Sequence, residues 1–327
     1  MDISVIILTY NEELHIRRCI ENVRDLCTDV FVVDSFSTDK TRAIAEGLGA
    51  KAVQNRWEGL YARQFNWALA HLPIRTKWVL RLDADEYLTD ELKKEIRAKL
   101  KGLPERVTGC VFPLRRVFLG RIIRRGMPSI KLLRMFHYQK AVCEQRLMDE
   151  HIQLLEGSSI TFEHEFADDN LNNLSWWSQK HIGYAIREAA DLLDVEYGFL
   201  TDRAESRNSE ELGDCQAEKK LGEQAARKRV KKLRYARLPL FWRAFAYFMY
   251  RYIYKGGFLE GKEGFLWHFL QGWWYRTLVD AKIFEVRRKA MRNWQEEEGH
   301  REKNGNAHKY IGNRVLKVLR DEYGLQI

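Results

Sequence analysis

Four short apolar runs, rich in β-branched residues and spaced by helix-patterned segments, constrain this chain more than any other feature. They are Ile3 to Thr9, Asp29 to Asp34, Ala52 with Val53, and Trp78 to Leu82. Between them, Leu14 to Val23 carries apolar residues at helical spacing, and Ser37 or Thr38 is placed to cap a helix that stops at Gly47 or Gly49. Leu60 to Leu72 is helical up to Pro73, and Thr89 to Leu100 is a charged amphipathic helix stopped at Gly102 and Pro104. Strands alternating with helices at this spacing predict an α/β fold, a parallel sheet covered by helices on both faces. Such a sheet binds its ligand at the carboxyl ends of its strands, so chemistry is to be sought just after each strand.

The first strand ends in Thr9-Tyr10-Asn11-Glu12-Glu13, the second in Asp34-Ser35-Phe36-Ser37-Thr38-Asp39, and the fourth in Asp83-Ala84-Asp85-Glu86. Asn11, Glu12 and Asp34 offer the amide and carboxylate partners that a base and a ribose need. A diphosphate requires a cation between itself and carboxylates. Asp83 and Asp85 offer the oxygen ligands that Mg²⁺ or Mn²⁺ prefers. Singly, these acids have plainer readings: Asp34 and Asp39 as turn and cap residues, Glu12 and Glu13 as first-turn acids of a helix. Their occurrence at successive strand ends favours a sugar nucleotide bridged by a metal. A dinucleotide fold is excluded, because Tyr10-Asn11-Glu12-Glu13 stands where Gly-x-Gly-x-x-Gly would be required, and no P-loop occurs.

Ser4 through Glu12, Val32 through Thr41 and Leu82 through Glu86 resemble, in order and spacing, the three hallmark segments of family 2 glycosyltransferases. Arg134, Glu144 through His151, and Gly256 through Glu285 are similar to the lipopolysaccharide-core β-glucosyltransferase subgroup. The resemblance implies a GT-A fold, a Rossmann-like mixed sheet with helices on both faces, here with an α-helical C-terminal extension. It implies an inverting transfer from a UDP-sugar. It further implies that Thr9, Asn11, Glu12 and Asp34 contact uridine, that Asp83 lies near the ribose and metal, and that Asp85 is the main metal ligand. Gln64 and Asn66 fall on a polar helix that the family often places near the donor.

An inverting transfer needs a base for the acceptor hydroxyl. Met148-Asp149-Glu150-His151 supplies an acidic pair where the family places one, and Glu150 is preferred over Asp149. A solvated turn or helix start is the competing reading of both. A glycoside hydrolase would also use two carboxylates, but has no use for the strand-end constellation. His164 is a candidate further metal or diphosphate ligand, against a structural or surface histidine. Arg134, with Arg124 and Arg125, is a candidate phosphate contact. Asp168 to Leu193 reads as a helix capped by Asp169 or Asn170, on which Trp176, Lys180, Tyr184 and Arg187 or Glu188 share a face. Lys180 and Tyr184 there are acceptor candidates, although packing explains the stripe as well.

The charge is +9, and from Arg227 to Lys255 Lys and Arg recur without one acid. Leu238 to Tyr254 adds a strongly aromatic run, interrupted by Arg243 and Arg251, too broken to span a bilayer but suited to an anionic membrane surface. Packing into a core or a homo-oligomer contact is the alternative. Nucleic acid is set aside, since no recognised module accompanies the basic block. The five cysteines are scattered, without a Cys-x-x-Cys pair, and fit a reducing compartment. No secretory signal or membrane span is expected. The expected organisation is a catalytic domain over 1–195, a polar linker over 196–226, and a basic, aromatic helical extension over 227–327. The expected function is sugar transfer to a lipid-linked saccharide acceptor in bacterial envelope polysaccharide synthesis, in the cytoplasm and peripheral on the inner membrane. A non-catalytic nucleotide-sugar-binding or membrane scaffold of the same fold is the alternative.

Overall fold

The structure is a computed structural model that describes residues 1–144, 150–199, 235–297 and 307–325. Two compact units divide at Asn172 and Asn173.

The first unit is built on a mixed sheet. β1 (Ile3–Thr9), β2 (Asp29–Asp34), β3 (Lys51–Gln54) and β4 (Trp78–Asp83) run parallel in the order β3-β2-β1-β4. The chain then forms β5 (Glu86–Leu88), β6 (Val107–Phe118), β7 (Arg121–Ile123) and β8 (Lys131–His137). It goes on through β9 (Ala141–Cys143), β10 (Ile152–Leu154), β11 (Ser158–Thr161) and β12 (Phe166–Asp169). β8 lies antiparallel between β4 and β6, and β12 joins β6 to the short β5. The helices α1 (Ile16–Val23), α2 (Thr41–Gly47), α3 (Tyr61–His71) and α4 (Asp90–Lys99) connect the parallel strands and follow β5. This is the GT-A arrangement expected of the chain.

Side-chain alternation explains the two faces. Ile3, Val5 and Ile7 of β1 point to one side, where they pack with Ile16, Ile20 and Val23 of α1 and with Leu92 and Ile96 of α4. Ile6 points to the other side and meets Phe31, Val33 and, from α3, Ala62 and Phe65. Every βα unit therefore buries one apolar stripe, and the polar residues at strand ends are left at the carboxyl edge.

Two helix starts differ from expectation. Ser37 and Thr38 do not cap α2. Lys40 holds the N-cap position without a side-chain hydrogen bond, and Asp39 before it accepts from the Thr41 N–H at 2.9 Å, while Ser37 and Thr38 are engaged with Asp34 and Asn11. Nor do Asp169 or Asn170 begin the long helix. Asp168 and Asp169 are extended in β12, and α5 (Leu174–Tyr197) starts after Asn173, whose side chain accepts from the Trp176 N–H. α5 ends where Gly198 takes the left-handed conformation (φ 64°).

The second unit is helical: α5, α6 (Trp242–Met249), α7 (Gly261–Trp267), α8 (Tyr275–Glu297) and α9 (Ala307–Tyr323). π-helical turns continue α6 over Tyr250–Tyr254 and α7 over His268–Trp274. Ala185, Ala189 and Leu193 of α5 are buried with Val279, Ile283 and Val286 of α8 and with Val315 and Leu319 of α9. The alanines let these helices approach closely, which assigns α5 to this unit and not to the domain expected over 1–195. The expected linker lies outside the described residues from 200 on.

Candidate active site at the carboxyl edge of the sheet

The ends of β1 and β2 are locked together. Asp34 is buried and accepts from the Thr9 hydroxyl at 3.0 Å and from the Ser37 N–H at 2.9 Å. Asn11 adopts φ 55°, a conformation that Asn tolerates better than most residues. Its amide oxygen then accepts from the Thr38 N–H at 2.8 Å, and its own N–H reaches the Ser37 hydroxyl at 2.8 Å. The Glu12 N–H donates to the Thr41 hydroxyl at 2.7 Å. The Glu12 carboxylate accepts from His15 Nδ1 at 2.6 Å, while His15 Nε2 accepts from the Leu171 N–H at 2.9 Å, which fixes the imidazole tautomer. Thr9, Asn11, Glu12 and Asp34 thus form one pre-organised cradle, flanked by the exposed rings of Tyr10 and Phe36.

Gln64 sits below that cradle and is buried. Its amide accepts from Asn55 at 2.7 Å and donates to the Ser35 hydroxyl and the Asn55 carbonyl, both at 3.1 Å, so it braces the ends of β2 and β3. Asn66, two residues further along α3, pairs with both backbone groups of Cys143 at 2.8 and 2.9 Å, as a neighbouring strand would. That clamp fixes the end of β9, from which the chain leads toward Glu150.

β4 brings in the Asp-x-Asp turn. Asp85 accepts from the Asn170 amide at 2.9 Å, and its carbonyl accepts from Arg18 at 3.2 Å and from the Asp169 N–H at 3.1 Å. Asp83 lies between two buried arginines: Arg81 Nη2 and Arg134 Nη2 each stand 3.7 Å from one of its carboxylate oxygens. Arg134 also pairs with Glu86, whose other oxygen accepts from the Asp83 N–H at 2.9 Å. Burial pushes the Glu86 carboxyl up, and the Arg134 guanidinium opposes that shift. Arg134, expected to meet phosphate, is therefore first an internal support of this turn. Among the described residues no three His, Cys, Asp or Glu side chains converge on a metal position. Two half-buried carboxylates at this turn nevertheless fit Mg²⁺ or Mn²⁺, which take most of their ligands from water and phosphate.

Glu150 reaches the same edge. Its carboxylate accepts from the backbone N–H groups of Ala62 and Tyr61 at the start of α3, where the helix favours negative charge, and it feels Arg81 and Asp83 electrostatically. Burial lifts its carboxyl to about 7, against the pull of Arg81. Asp149 lies outside the described residues.

One expected site residue of the first unit lies away from this edge. His164 stands at the opposite end of β12 from Asp85. There its Nδ1 meets Glu95 Oε2 at 2.8 Å, beside a cleft of about 630 Å³ also lined by Arg115, Arg124 and Lys131. Burial of Glu95 is outweighed by hydrogen bonds from Lys99 and from the N–H groups of His164 and Glu163, which draw its carboxyl down to about 2. Lys180 and Tyr184 belong to α5 in the second unit, where the Lys180 ammonium lies 4.6 Å from the Trp176 ring centre and 5.8 Å from that of Tyr184.

Sequence reasoning missed Arg81, Arg18 and Asn170. Arg81 had a signal, a lone charge inside the apolar run Trp78 to Leu82. Arg18 and Asn170 had none, because their partners lie 67 and 85 residues away.

With this geometry in view, residues 4–155 match the model of glycosyl transferase family 2. An uncharacterized glycosyltransferase of Rickettsia bellii is 45% identical over 94 residues, which cover 29% of this chain and 31% of that one. The lipopolysaccharide core biosynthesis glycosyltransferase LpsC of Rhizobium meliloti is 28% identical, over 42% of this chain and 56% of its own length. The chain thus spans under a third of the first of these relatives and little over half of the second. A solved structure of glucosyl-3-phosphoglycerate synthase from Mycobacterium tuberculosis, with Mn²⁺, UDP and glucosyl-3-phosphoglycerate, is 22% identical over 36% of this chain and 44% of that one. Its TM-score of 0.27 is too low to bear on the site.

Proposed function

We propose that this chain, a family 2 glycosyltransferase over residues 4–155, moves a sugar with inversion from a UDP-sugar to a lipid-linked saccharide of the bacterial envelope. The acceptor would be a lipopolysaccharide, capsule or exopolysaccharide precursor on the cytoplasmic face of the inner membrane. The likeness to LpsC favours the first of these. One observation carries the reading: the Thr9–Asp34 cradle, the Asp83–Asp85 turn and the Glu150 carboxyl all lie at the carboxyl edge of one sheet.

Thr9, Asn11, Glu12 and Asp34 hold the nucleoside, and the rings of Tyr10 and Phe36 limit where the base lies. Asp85, with Asp83 beside it, would hold Mg²⁺ or Mn²⁺, which when bound neutralises charge on the departing diphosphate. Asp83 shares its charge with Arg81 and Arg134, so Asp85 is the more available ligand. Glu150 takes the proton of the acceptor hydroxyl. The acceptor oxygen forms its bond to the anomeric carbon as the bond to the phosphate oxygen breaks, and UDP leaves with that electron pair. A carboxyl titrating near neutrality is matched to this task.

The test is UDP release from a panel of UDP-sugars with Mn²⁺, with and without deep-rough lipopolysaccharide as acceptor. Glu150→Gln should lower turnover by about 10²- to 10⁴-fold while donor binding persists. No turnover with any donor, or a Glu150→Gln variant as active as the parent, would refute the proposal.

A further inference from the structure

The helix α6 and the π-helical turn after it are inside out. Arg243 and Arg251 are each only 3% exposed, whereas Trp242 is 71% and Tyr254 78% exposed. Arg243 donates to Asp280 through Nε at 2.8 Å and stacks on Tyr235. Arg251 lies over the Tyr247 ring, and Gly272 leaves it room, since a Cβ there would stand 3.3 Å from its guanidinium. A helix facing water buries its aromatics and exposes its arginines. Here both arginines are held inside the unit, while Trp242, Phe245, Met249 and Ile253 are turned out.

Trp242, Phe245, Met249 and Ile253 recur at three- and four-residue spacing and form one exposed stripe. Phe258 and Leu259, in the turn before α7, are exposed as well. From 235 to 270 every exposed charged residue is basic: Arg237, Lys255 and Lys262. The two acids of that stretch are Glu260, which is buried, and Glu263, which is half-buried. Lys255 lies 5.6 and 5.7 Å from the ring centres of Tyr250 and Tyr254. No helix among the described residues is long and apolar enough to cross a bilayer.

We infer that the stripe Trp242–Phe245–Met249–Ile253, with Phe258 and Leu259, inserts into the interface of an anionic bilayer, with Arg237, Lys255 and Lys262 on lipid phosphates. The inference deepens the proposed function, on which it rests for its purpose: it holds the enzyme at the leaflet that carries a lipid-linked acceptor. The charge pattern selects this occupant over a second copy of the chain, which would bring like charges together. Apolar insertion and basic attraction are the two signals that a surface-bound helix combines.

The test is co-sedimentation of the full chain with vesicles of phosphatidylethanolamine and phosphatidylglycerol, against phosphatidylcholine alone. The expected result is binding to the anionic vesicles that weakens with salt. The triple variant Trp242→Ser, Phe245→Ser, Ile253→Ser should partition at least tenfold less. UDP-dependent thermal stabilisation of the triple variant should equal that of the parent, which reports folding and keeps donor binding as a separate readout. Lys255→Glu with Lys262→Glu should weaken binding to anionic vesicles only. Recovery of the parent in the supernatant, equal partition of the triple variant, or a lipid-free dimer that the triple substitution dissociates would each overturn the inference. Loss of UDP stabilisation in the parent would strike the proposed function and leave the membrane result standing.

Discussion

In the proposed mechanism Glu150 concentrates the chemistry in a single carboxyl. Burial raises it to about 7 from 4.5, and Arg81 is the largest influence holding it down. As a base it must be ionised, so kcat/KM should rise with pH through an acid limb near 7. Replacing Arg81 by Met removes the cation that favours the ionised form, and the limb should move to higher pH. A pH–rate profile that does not shift would show that Arg81 leaves the base untouched. The linkage to stability has the opposite sense to that of a salt-bridged acid. A carboxyl raised in the folded state favours folding below its unfolded value near 4.5, and that contribution is lost as pH rises through 7. Glu150→Gln should therefore flatten the decline in stability between pH 5 and 8 by roughly 2 kcal/mol, read from urea midpoints.

Among the elements, two clamps set what substitutions cost. The Asn66 amide pairs with both backbone groups of Cys143, so Asn66→Ala leaves a buried N–H and C=O without partners. The cost should be about 1–3 kcal/mol in urea unfolding. In the second unit the Arg243–Asp280 pair is buried on both sides. Arg243→Met strands an acid and should cost about 3–5 kcal/mol, whereas Arg243→Met with Asp280→Leu should recover most of that loss. Equal midpoints for the single and double variants would contradict the pairing. These clamps also show where sequence was mute. The strands β1, β2 and β4 were legible because an apolar run ending in acids is a local pattern. β5 and β9 to β12 are three or four residues long and exist through pairing with distant partners, which no local period records. For the same reason Asp168 and Asp169 read as a helix start: their pairing with β5 and β6 and the tie to Arg18 became visible only in three dimensions.

For the whole molecule, the family 2 match over residues 4–155 and the strand-end acids both favour the proposed sugar-nucleotide donor. The donor's sugar depends on pocket shape and has no motif. The acids of the cradle and the turn were legible in the sequence. Of the arginines that flank Asp83, Arg134 was read only as a phosphate contact and Arg81 was passed over. The most direct measurement is calorimetric UDP binding with and without Mn²⁺, for the parent chain and for Asp85→Ala. Binding should tighten at least tenfold with Mn²⁺ in the parent, and that gain should vanish in Asp85→Ala. UDP affinity indifferent to Mn²⁺, or a gain that survives the loss of Asp85, would contradict a metal-bridged donor at this edge of the sheet.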